Sequence, residues 1–150
     1  MNQRFFLFTV CLATVCSGSD FEQVTFDGTL KRDPRFVEGG DAVVYCYDET
    51  PDLIRMMKIN LGENKAEPVF SDSGNKHHIE PRHSPDGNYV VFTECTGNLS
   101  ARLVIRNLSE NKDAYITHSG RGGTRSPCFA PTSDLVSMHL QRRGHSNCGQ

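Results

Sequence analysis

The stretch Glu80-Pro81-Arg82-His83-Ser84-Pro85-Asp86-Gly87-Asn88-Tyr89-Val90-Val91-Phe92 decides how this chain is read. In Ser84-Pro85-Asp86-Gly87, Pro85 sets φ at the second turn position. Asp86 tolerates the bridge region that follows, and Gly87 suits the last place of a type I turn. Tyr89, Val90, Val91 and Phe92 then form a short β-branched and aromatic strand. Taken alone, this is one hairpin. A second copy elsewhere in the chain would make it an architecture.

Copies are present. Upstream, "DPRFVEGGDAVVY" begins at Asp33, and downstream "SPCFAPTSDLVSM" begins at Ser126. Pro34 and Pro81 are 47 residues apart, and Pro81 and Pro127 are 46 apart. Two residues after each Pro stands a ring, at Phe36, His83 and Phe129, followed by a turn and an apolar strand. The rings are read as packing aromatics, with His83 as the substitute. Asn60-Leu61 and Asn107-Leu108 repeat at the same 47-residue spacing, closing matching apolar segments at 54–61 and 103–108. Fourth strands are expected at "AEPVF" (66–70) and "AYITH" (114–118). "EQVTF" (22–26) is read as a further fourth strand that could close another unit from outside.

Four-stranded units of 40 to 50 residues with alternating apolar positions are the pattern of propeller blades. Helical repeats of this length would need a 3.6-residue period and few glycines, and neither is found. With the Pro-x-aromatic-Ser-Pro-Asp-Gly element in view, residues 22–141 resemble the TolB-like, WD-like β-propeller repeat family. The resemblance implies an all-β fold of antiparallel four-stranded blades: blade one at 33–70, blade two at 80–118, and a partial third at 127–141. About two and a half blades fall short of the roughly four that close a ring. A short or truncated family member is therefore expected, or a chain that completes its ring by self-association.

The remaining sequence bounds the setting. The 150 residues include 16 Lys and Arg against 18 Asp and Glu, a net charge of −2 that gives no reason to expect nucleic acid or an anionic membrane surface. A basic start, an apolar run at 5–16 and small residues at 17–19 have the order of an export signal, placed at 1–19. The run is too short for a membrane-spanning helix. Residues 20–141 would form the propeller segment, and 142–150 a disordered tail. With the signal removed, Cys46, Cys95, Cys128 and Cys148 remain, and three complete pairings are open to them.

Candidate chemistry is sparse. His77 and His78 with His83 could suggest a metal site, but His77 and His78 read as an exposed inter-blade loop. His145 and Cys148 form an isolated pair without further ligands. Asp33, Asp41, Asp86 and Asp134 are read as turn residues bonding to the backbone. "SGRGG" (119–123) lacks the Lys-Ser/Thr of a phosphate loop, and no G-x-S-x-G elbow occurs. Asn98-Leu99-Ser100 and Asn107-Leu108-Ser109 match the glycosylation sequon by chance. Arg121, Arg125, Arg142 and Arg143 read as solvated surface. No catalytic, metal or cofactor residue is assigned.

By resemblance, the chain is expected to be an exported, non-catalytic module that binds a protein partner. The best-known member of the family is the periplasmic Tol–Pal component that contacts a peptidoglycan-associated lipoprotein. The alternative is a fragment of the accessory propeller of a prolyl-oligopeptidase-like or tricorn-like peptidase.

Overall fold

The computed structural model describes residues 23–71, 74–96, 100–116 and 122–142. Ten strands lie within them: β1 (Lys31–Val37), β2 (Ala42–Thr50), β3 (Leu53–Asn60), β4 (Lys65–Pro68), β5 (His77–His83), β6 (Tyr89–Thr96), β7 (Ser100–Asn107), β8 (Lys112–Ile116), β9 (Gly122–Phe129) and β10 (Val136–Arg142). They pair antiparallel into two four-stranded sheets, β1-β2-β3-β4 and β5-β6-β7-β8, and a two-stranded sheet of β9 and β10. These are two complete blades and the first half of a third, the fold class expected from the repeat. The expected signal and Cys148 lie outside the described residues.

The Ser-Pro-Asp-Gly turn forms as its residues dictate. The Gly87 N–H donates to Ser84 O at 2.9 Å, and Gly87 takes φ +74°. Asp86 accepts from Ser84 Oγ and from the Asn88 N–H at 3.2 Å, holding the bend from inside. The third blade repeats the pattern with other residues: the Ser133 N–H donates to Ala130 O at 3.0 Å, and Ser133 occupies the positive-φ place at +65°. The recurring Asn has an equally local cause. Asn107 Oδ1 accepts the N–H groups of Ser109 and Glu110, and Asn60 Oδ1 accepts that of Gly62, so each Asn closes an Asx-type turn between its third and fourth strands.

Blade two lies between its neighbours, and its strands are buried accordingly. Residues 90–95 of β6 are all buried, so that strand reads as a continuous apolar run rather than an alternation. On one face Val90, Phe92 and Val104 join Val44 and Met56 of blade one in the main cluster, with Val37, Val69 and Phe70 at its margin. Burying a side chain of this class stabilises by about 1.5–3 kcal/mol. β5 packs across β1, β2 and β3, and β9 across β5, β6 and β7, so each inner strand lies on the face of the preceding blade. Gly123 makes the second crossing close: a Cβ there would stand 2.8 Å from Ala101 Cβ and 3.3 Å from Ala101 O.

Several expectations are corrected. Residues 23–26 form no strand, and Phe26 is exposed, so "EQVTF" supplies no closing strand among the described residues. β4 ends at Pro68, and Val69 and Phe70 turn inward to the core instead of extending the sheet. The inner strands begin before the places expected, at Lys31, His77 and Gly122, because pairing continues N-terminal to each Pro across a bulge. His77 and His78 are not in an exposed loop but in β5, where His78 is buried. Phe36 is 74% exposed rather than packed, since no blade lies in front of β1 among the described residues.

Candidate functional site

Among the described residues, two polar seams and a cleft gather chemistry-bearing side chains. The first seam runs along the bulges. Asp33, Glu80 and Ser126, each immediately before the repeated Pro, take φ of +53°, +58° and +53°. The register of the strand pair slips at the same three places, between Arg32 and Arg35, Ile79 and Arg82, and opposite Arg125 and Cys128. Proline has no N–H for the ladder and is tolerated at a bulge, which explains why all three copies keep it there. Glu80 joins two blades from this position. Its carboxylate accepts from Thr93 Oγ1 at 2.9 Å and from the Ser126 N–H at 2.7 Å. One seam earlier, the Glu80 main chain meets the buried Cys46 thiol, whose pKa burial pushes up to about 12.

The second seam is a buried charged cluster beside the aromatic core. Glu94 receives Arg102 Nε at 2.6 Å and Lys76 Nζ at 3.1 Å. His78 stands 3.7 Å from the same carboxylate and packs against Phe92 and Phe70, with ring centroids at 4.7 and 5.8 Å. Burial pushes the His78 imidazole down to about 4, against the opposing pull of Glu94. Arg106 makes a two-pronged pair with Asp113, at 2.6 and 2.8 Å, and stacks 4.1 Å above Phe70. The Arg106 guanidinium holds the Asp113 carboxyl below its usual range. His77 Nδ1 accepts the Ile54 N–H at 3.3 Å, tying β5 to β3 of the preceding blade. These contacts are structural: each one joins strands or blades.

The cleft is of about 700 Å³ and opens between blades one and two, beside the turn at 84–87. That volume falls within the range of ordinary ligand sites. Phe36, Val44, Val69 and Leu108 supply its apolar wall; Glu38, Glu67, Lys58 and Asp86 supply its charges. Lys58 Nζ lies 3.2 Å from Glu38 and 3.4 Å from Glu67, and these carboxylates raise its pKa, Glu38 foremost. His83 lines the cleft, and its Nδ1 is buried without a hydrogen-bond partner among the described residues. Burial lowers its pKa, with the Glu38 carboxylate pulling the other way. His83 is thus neutral near pH 7 and keeps an unused polar atom at a place where the other two blades put Phe36 and Phe129.

The fold matches a known solved structure. It is similar to TolB from Acinetobacter baumannii, with a TM-score of 0.62 at 18% sequence identity. The match takes in 83% of this chain and 30% of that one, so the chain spans under a third of the length of its structural relative. No family model matches the sequence. At this identity the likeness to TolB is one of fold.

Of the residues singled out in the sequence, the structure brings His83, Asp86 and the Ser84 turn to the cleft and separates them from His77 and His78. Among the described residues no group of three or more His, Cys, Asp or Glu side chains is disposed to hold a metal ion. Cys46 and Cys95 are buried free thiols and Cys128 an exposed one, so none of these three is bridged to another. Arg125 is exposed on β9; Arg121, Arg143, His145 and Asn98 lie outside the described residues. Sequence reasoning missed the cleft because its charged residues, Glu38, Lys58 and Glu67, come from three elements of one blade with no motif spacing. The departure of His83 from the aromatic pattern was the one available signal.

Proposed function

We propose that the chain is a segment of an exported, non-catalytic β-propeller that acts by binding a protein partner. The observation that supports this most is how the polar side chains are used. Ser84, Asp86, Glu80, Glu94, Arg106 and Asp113 are engaged in turns and inter-strand pairs. What the described blades offer outward is a cleft and rims of loops, a surface suited to recognition. An envelope protein or lipoprotein is the class of partner suggested by the family resemblance.

The test has two arms. Cell fractionation with N-terminal sequencing checks export; a chain that stays cytosolic with Met1 intact removes that part of the reading. Affinity capture from envelope extract, followed by a binding measurement with the recovered protein in purified form, checks the partner. A chain that folds cooperatively and retains no saturable partner removes the binding role.

A further inference from the structure

We propose that the cleft between blades one and two receives a lysine side chain of the partner protein. This rests on the binding role above and specifies its chemistry. Three features of the cleft combine. Its charged side chains are three carboxylates, Glu38, Glu67 and Asp86, against the single ammonium of Lys58, so it favours a cation. Its wall of Val44, Val69, Leu108 and Phe36 suits a methylene stem that buries its length and leaves its charged end at polar groups. Finally, His83 lines the cleft and its Nδ1 has no hydrogen-bond partner among the described residues; in the neutral tautomer protonated on Nε2 that atom is an acceptor for an N–H donor.

The repeat shows that this last atom is not required by the fold. Blades one and three place Phe36 and Phe129 where blade two has His83, and both of those blades form the same bulge and strand pair. An imidazole at that position adds a polar group next to the acidic Glu38, which acts on it electrostatically. The acceptors come from separate elements: Glu38 from the turn after β1, Glu67 from β4, Asp86 from the turn after β5, and His83 from β5. An ammonium, with three rotatable donors, fits such a dispersed set better than a planar guanidinium, which favours one side-on carboxylate.

The test titrates the full chain with three blocked peptides, acetyl-Leu-Lys-Leu-amide and its norleucine and glutamate counterparts, by calorimetry and by ¹⁵N-detected imidazole NMR. The lysine peptide is expected to bind about tenfold or more tighter than the norleucine peptide, the worth of one charge-assisted contact. Its affinity should fall as salt rises, and the His83 ring nitrogens should shift on binding. Glu38→Gln with Glu67→Gln should remove the preference for lysine. His83→Phe supplies the ring of the other blades, so it should keep a cooperative melt while weakening lysine binding several-fold. Equal binding of lysine and norleucine peptides, or an undiminished preference in the Glu-to-Gln variant, overturns the proposal. The partner captured from envelope extract separates this from the broader reading. If wild type and the Glu-to-Gln variant retain it equally, the lysine cleft falls and the binding role stands; if neither retains any protein, the binding role falls.

Discussion

Glu80 shows how much one residue can be asked to do. It holds a left-handed backbone conformation that favours glycine, at a cost of order 1 kcal/mol, and its carboxylate offsets this by satisfying Thr93 and the Ser126 N–H. Glu80→Ala keeps the strained φ, orphans the buried Thr93 hydroxyl and leaves the exposed Ser126 N–H to water, so it should destabilise the fold by about 1–2 kcal/mol, read as a lower urea midpoint at unchanged m. A loss under about 0.5 kcal/mol would mean that water replaces the carboxylate freely. His78 contributes to the pH dependence, as does His83, whose pKa burial also lowers. The folded His78 pKa of about 4 lies below the unfolded 6.5, so between these values the unfolded chain binds the extra proton. Stability should therefore fall as pH drops from 6.5 toward 4, by no more than a few kcal/mol. Glu94, held below its usual range, adds its own loss only as pH falls below its unfolded value of 4.5. His78→Phe should flatten the upper part of this profile in pH-dependent urea melts; an unchanged slope would exclude His78 as a source. The repeated Pro was legible in the sequence. The residue before it was not, because Asp, Glu and Ser share no side-chain chemistry and are united only by backbone conformation.

At the level of strands and turns, the sequence was read most easily where the cause is local. The Ser84 turn and the Asx turns at Asn60 and Asn107 depend on hydrogen bonds spanning a few residues, and their spacing repeated with their structure. Strand ends were harder to place, since a bulge lets pairing continue past a proline that would ordinarily stop it. Packing between sheets was hidden altogether: nothing about Gly123 announces that it lies against Ala101 of β7. Gly123→Ala should push β9 off blade two, because the new methyl meets backbone as well as a side chain. Hydrogen exchange should then show β9 amides losing protection by about tenfold while those of β2 and β3 hold theirs. Unchanged β9 protection would show that the strand shifts to accept the methyl.

For the whole molecule, the described blades leave apolar side chains at both ends of the arc. Phe36 and Leu30 stand before blade one, at 74% and 62% exposure, and Leu135 and Met138 stand on the third sheet, at 67% and 47%. Leu30→Ser with Leu135→Ser should cost less than about 0.5 kcal/mol per site, because neither side chain is buried. The same change should reduce dye binding to exposed apolar surface and concentration-dependent light scattering; no reduction would mean these residues are not the adhesive ones. The blades also interlock along their seams. At the junction of blades two and three the later blade offers the N–H of Ser126, and the earlier one holds the Glu80 carboxylate that receives it. The sense reverses at the junction before it, where the Ile54 N–H of blade one donates to His77 of blade two. Donors and acceptors thus lie on both sides of the seams, so each blade is lock and key at once for its neighbour.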